Sequence, residues 1–129
     1  MAEKQCDLLK NGGGTDQIQT GTFTLNNTTD WAVLNLGYPP LLTKKNGTVC
    51  FSVAVTCKTG ITSWGAKTLG TLPAGYRPTS AMAVVAAAQT GEPAVSCFID
   101  TNGTITCQPM GTLNANRSFG FCVSFSVDL

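Results

Sequence analysis

The stretch Asn46-Gly47-Thr48-Val49-Cys50-Phe51-Ser52-Val53-Ala54-Val55-Thr56-Cys57 decides the fold class. Asn-Gly is the dipeptide that a two-residue hairpin turn favours, because both of its central positions take positive φ. After the turn, Val49, Phe51, Val53 and Val55 alternate with Cys50, Ser52, Ala54 and Thr56, the period of two that turns one face of a strand toward a core. Residues 41–45 supply the other arm of the hairpin. The outer face is small and lightly covered.

The pattern repeats on both sides. In residues 118–129, Phe119, Phe121, Val123, Phe125 and Val127 alternate with Gly120, Cys122, Ser124 and Ser126. A second turn at Asn102-Gly103 joins strand-like residues 94–100 to 104–108. Residues 79–88 are rich in Ala and Met, yet their length and β surroundings predict a strand buried on both faces. Residues 18–25 read as one strand with Phe23 and Leu25 on one face. Residues 31–37 read as another, ending at Tyr38-Pro39-Pro40, where consecutive prolines stop a ladder. Residues 58–65 form a polar loop carrying Trp64. Leu72-Pro73-Ala74-Gly75-Tyr76-Arg77-Pro78 cannot lie inside a ladder, because its prolines fix φ and Gly75 admits unusual backbone. It reads as an ordered joint between the front and back halves of the chain.

Residues 1–16 are polar and end in Gly12-Gly13-Gly14. They are expected to be a lead-in, a short helix or stalk remnant, ahead of a single domain over 17–129. Seven to nine strands with almost no helix predict an all-β fold, an antiparallel β-sandwich of jelly-roll-like or Greek-key type.

Composition limits the partners. The chain has 129 residues, is 43% hydrophobic and only 12% charged, and carries a formal charge of +1. Lys44-Lys45 is its only adjacent basic pair, so no stripe is present that would neutralise phosphates, which argues against nucleic acid. No run approaches 18 apolar residues and the N-terminus lacks the pattern of a signal peptide, so synthesis in the cytoplasm without membrane insertion is expected.

Six cysteines are spread along the chain, at positions 6, 50, 57, 97, 107 and 122. Cys50 and Cys57 sit on one strand with side chains on opposite faces. A two-residue loop at Asn102-Gly103 pairs Cys97 with Gln108 and Phe98 with Cys107, placing the sulfurs of Cys97 and Cys107 on opposite sides. Half-buried thiols in a reducing cytosol are the reading that follows. With no histidine and no Cys-x-x-Cys, zinc has no ligand set, and neither a metal nor another cofactor is expected.

Catalysis finds little support. The absence of histidine removes His-based triads, and Asp30, Glu92 and Asp100 are the only loop carboxylates open to a glycosidase pair. Each sits where a turn would place a solvated acid anyway. Binding has a better basis, since saccharides are held by aromatic faces beside hydrogen-bonding groups. Trp64 and Tyr38 are the aromatics least committed to a strand, against the alternative that they plug the sandwich edge. Trp31 reads as core. Tyr76 and Arg77 are further candidates, although the phenol is expected to pack on the sheet and the guanidinium to bond loop carbonyls.

The order of these segments carries a resemblance. The joint at 72–78, the apolar strand after it, the Asn102-Gly103-Thr104-Ile105 turn and the closing Val123-Ser124-Phe125 resemble the C-terminal heads of tail-fibre and baseplate proteins of phages and prophages of Gram-positive bacteria. Gly21-Thr22-Phe23-Thr24-Leu25, Trp31 and Lys45-Asn46-Gly47-Thr48-Val49 fall in the order that such heads show. The resemblance implies a virion component, a homotrimeric knob that adsorbs to cell-surface saccharide alongside other fibre or baseplate proteins. No binding residue carries over by match, and the long collar usual before such heads is missing or very short. Two alternatives stand beside it: a purely structural fibre or decoration module, and a polysaccharide depolymerase.

Overall fold

A computed structural model describes residues 17–34 and 39–127. The expected lead-in over 1–16 lies outside the described residues. Ten strands and no helix make up the described chain: β1 (Gln19–Thr20), β2 (Thr24–Leu25), β3 (Trp31–Val33), β4 (Leu41–Lys45), β5 (Thr48–Cys57), β6 (Lys67–Thr71), β7 (Met82–Ala88), β8 (Val95–Ile99), β9 (Thr104–Pro109) and β10 (Arg117–Ser126). All pair antiparallel, in the order β1-β4-β5-β10-β7-β8-β9-β6-β2, with β3 added to β5. The first four of these form one layer and the last five the other. β7 joins them through Phe119↔Ala88 and Gly120↔Ala87 alone.

The opening stretch became β5, the centre of the first layer. Its alternation holds without exception from Val49 to Cys57, odd positions buried and even ones not. The turn before it is the two-residue kind, with Asn46 at φ 50° and Gly47 at φ 78° and Lys45 opposite Thr48. Along its other edge β5 pairs with β10 over all ten residues of each. This brings Phe51 against Phe121 with ring centroids 5.7 Å apart, and Phe23 closes on Phe51 at 5.0 Å. Such aromatic pairs add about 1 kcal/mol each beyond their area. Trp31 is core, as expected, at 1% exposure. Its indole N–H donates to the Thr68 carbonyl at 2.8 Å, a bond from β3 in one layer to β6 in the other that satisfies a donor otherwise stranded in the interior.

Four expectations are corrected. Residues 18–25 are not one strand: β1 pairs with β4 in the first layer and β2 with β6 in the second, so the chain crosses between layers after Gly21. A single period-two run cannot reveal such a crossing, because both halves keep the same apolar alternation. β7 is a strand but is not buried on both faces, since Ala83, Val85 and Ala87 face outward and Val85 is 60% exposed. Among the described residues no helix covers the outside of the sheet, and small side chains tolerate that exposure.

The third correction concerns the joint at 72–78. It links β6 to β7, which belong to one layer with β8 and β9 between them. It therefore spans the end of the β8–β9 hairpin: Leu72 N–H donates to Gly103 O at 2.9 Å. The fourth concerns that hairpin's register. Thr101, Asn102 and Gly103 form a three-residue loop, with Asp100 N–H donating to Thr104 O and Gly103 alone at positive φ, 88°. This is the type I turn with a glycine bulge. Its extra residue moves the register by one, so Cys97 faces Cys107 and Phe98 faces Thr106.

Candidate functional site

The β5–β6 loop and the β9–β10 connection are zipped together along their length. Asn116 N–H donates to Cys57 O, Ile61 and Leu113 exchange two main-chain bonds at 2.9 Å, and Trp64 N–H donates to Pro109 O at 2.9 Å. Gln108 completes the clasp, its Nε2 donating to Trp64 O at 3.3 Å. Between residues 59–62 and 112–115 lies an open groove of about 240 Å³. Threonine hydroxyls, an asparagine and main-chain groups line it beside Ile61 and Leu113.

Trp64 stands on the same loop, 57% exposed and at φ 59°. That backbone region is disfavoured for a bulky residue and costs on the order of 1–3 kcal/mol. The bonds to Pro109 and Gln108, with the Gly65 N–H to Thr62 O turn at 2.8 Å, hold it there. The result is a large apolar ring presented to solvent from a fixed main chain, on the same loop that forms one wall of the groove.

Charged groups brace both ends of this surface. Lys67 Nζ donates to Thr59 Oγ1 at 2.7 Å and Gly60 O at 3.0 Å and lies 3.5 Å from Asp30 Oδ1. Thr59 Oγ1 donates to the same carboxylate at 2.7 Å. The Thr59 and Asn27 hydrogen bonds, with the Lys67 charge, hold the Asp30 carboxyl below its ordinary value against a smaller opposing effect of burial. At the other end Glu92 accepts from Asn114 N–H at 3.2 Å and lies 3.4 Å from Arg117 Nε.

Each acid is thus tied to its own cation and a neighbouring amide or hydroxyl. A glycosidase's general acid needs a raised pKa, and Asp30 moves the other way. Asp100 lies apart, lining with Met82 and Phe98 a second open hollow of about 250 Å³ on the β7–β8 face. Among the described residues no group of three or more His, Cys, Asp or Glu side chains is placed to hold a metal.

The four sequence candidates separate. Tyr38 lies outside the described residues. Tyr76 is 9% exposed, with Lys44 Nζ 4.8 Å from its ring centroid and donating to Gly75 O at 2.9 Å. Arg77 Nε donates to Leu72 O at 2.9 Å. Both brace the joint. Because the joint docks at Gly103 and Trp64 at Pro109, the length of β9, about 20 Å, separates them. The sequence did not single out Gln108, which reaches the Trp64 carbonyl, or Thr62, Thr112 and Asn114, which line the groove. Only the main-chain pairing of the two loops brings these residues onto one surface.

No known family profile matches the chain, and no curated protein matches it in sequence. Its curled, two-layer, all-antiparallel fold is that of phage receptor-binding head domains. The chain is similar to the head domain of lactococcal phage bIL170, with a TM-score of 0.60 at 12% identity over 84% of this chain and 99% of that one. It is similar also to the receptor binding protein (gp15) of Listeria phage PSA, with a TM-score of 0.60 at 16% identity over 97% of this chain and 76% of that one. Both come from phages of Gram-positive bacteria, the group that the sequence resemblance indicated.

Proposed function

We propose that this protein is the receptor-binding head of a phage or prophage particle. It adsorbs to saccharide on a Gram-positive cell surface without catalysis. The supporting observation is Trp64, an exposed residue held at positive φ on the loop that walls the 59–62 and 112–115 groove, on a fold shared with two receptor-binding proteins. The indole face packs on sugar ring carbons, and the Thr62, Thr112 and Asn114 side chains meet the hydroxyls. Tyr76 and Arg77 act at one remove, by fixing the joint. The head works as a homotrimer, attached to other fibre or baseplate proteins of the virion.

The fluorescently labelled domain, incubated with a panel of Gram-positive strains and with their purified cell-wall polysaccharides, is expected to bind a subset of them. Trp64→Ala lowers that binding by about tenfold or more, the loss expected for a central aromatic anchor, and leaves thermal stability nearly unchanged, because alanine carries the same left-handed backbone strain. Binding unchanged in Trp64→Ala sinks the assignment of the site. Release of soluble fragments from the polysaccharide sinks the non-catalytic reading.

A further inference from the structure

Two thiols meet inside the second layer. Cys97 and Cys107 are fully buried, face each other across β8 and β9, and have Sγ atoms 3.7 Å apart. The ladder fixes what kind of pair they are. Asp100 N–H donates to Thr104 O and Met110 N–H to Ala94 O, so hydrogen-bonded pairs fall at 100/104, 98/106, 96/108 and 94/110. Cys97 and Cys107 are then a non-hydrogen-bonded pair, whose Cα atoms stand about 4.5 Å apart, inside the window that a disulfide accepts. Rotation about the two Cα–Cβ bonds closes the remaining gap without moving the strands. No other described thiol faces a second one across a ladder: Cys57 is buried on β5 in the opposite layer, near enough to help raise the Cys107 pKa, while Cys50 and Cys122 are exposed on the outer face of the first layer, with Cys50 Sγ 3.4 Å from Ser124 Oγ.

We propose that Cys97 and Cys107 are a latent cross-link, which forms a disulfide when the protein exchanges with a small-molecule disulfide outside the reducing cytosol. One cysteine, as thiolate, attacks a sulfur of the small disulfide and expels one thiolate, leaving a mixed disulfide on the protein. The second cysteine attacks the protein sulfur and expels the other thiolate. The two cysteine protons end on the two released thiols, so the cysteine pair is oxidised and one small disulfide is reduced. The hydrogen bond with Cys97, and then burial, keep Cys107 protonated in the closed hairpin, so the exchange takes place while the hairpin is open, during folding or transient opening.

The bond would cross the strand that carries Gln108 and Pro109, and so would tether the backing of Trp64. That this cross-link is met in life rests on the proposed virion location; its chemistry does not.

The test is refolding of the full chain from denaturant in a buffer of oxidised and reduced glutathione, followed by acid quench, alkylation, digestion and mass analysis. Cys97 and Cys107 are expected to escape alkylation together, in a peptide lighter by about 2 Da than its reduced form, while the other four cysteines are alkylated. Cys57→Ser retains the bond and Cys107→Ser loses it. The oxidised protein melts several degrees higher than the reduced one. Alkylation of all six cysteines, or a bond from Cys107 to any cysteine but Cys97, overturns the proposal. No arm reads host binding, so loss of the receptor reading and loss of the cross-link are separate results.

Discussion

At the scale of single residues, Asp30 shows how a polar loop is made rigid. It joins the turn at Asn27, the β5–β6 loop at Thr59 and strand β6 at Lys67. These partners favour the ionised carboxylate, so its pKa is lower in the folded protein than in the unfolded chain. Its contribution is therefore complete above about pH 4, the unfolded value, and is lost as pH falls through the lower folded value. Asp30→Asn is expected to be less stable than the parent at pH 7, with the gap narrowing as pH drops below about 4. Melting temperature measured against pH checks this; a gap constant across the acid range would exclude the linkage. Trp64 marks the limit of sequence reading at this scale. Its exposure was legible from the polar loop around it, whereas its left-handed backbone was not, because that comes from Pro109 and Gln108 more than forty residues away.

At the scale of elements, one dipeptide gave two different turns. Asn46-Gly47 turns with both residues at positive φ; in the second hairpin only Gly103 does, and the loop gains a residue. The difference lies in what docks on the turn. A Cβ on Gly103 would lie 2.6 Å from Leu72 O and 2.7 Å from Arg77 Nε, so the joint at 72–78 is seated directly on it. Gly103→Ala is expected to cost about 3 kcal/mol, from the strained φ and the displaced joint together. Gly91 has nearly the same φ, 89°, but no atom within 4 Å of the added carbon, so Gly91→Ala costs only about 1 kcal/mol. Urea unfolding of the pair separates strain from packing, and equal losses would show that the joint contributes nothing. The strands with long alternation, β5 and β10, were legible in the sequence; the hairpin register and the crossing at Gly21 depend on contacts between distant segments and were not.

At the scale of the whole molecule, the two layers part along one side. β10 meets β7 only at Phe119 and Gly120, and beyond that point neither strand has a further partner along this edge among the described residues, and neither edge carries a charge or a proline. Met82, Val84, Val123 and Phe125, which line this side, are only partly buried. Free edges in monomeric proteins are usually protected by charge, proline or a bulge, and the bare seam supports the proposed trimer. Light scattering at micromolar concentration is expected to give about three times 13.4 kDa. A strict monomer counts against assembly through this side and leaves the fold intact.

The β5–β10 pairing also governs how the chain reaches its native state. Thr48 lies opposite Ser126 and Cys57 opposite Arg117, so the central strand of the first layer cannot be completed until almost the whole described chain has been made. Closing loops of that size is entropically costly and slow. During synthesis β5 therefore waits with only β4 and β3 beside it, its bare edge a site for pairing with other nascent copies. Only the arrival of β10 closes that edge.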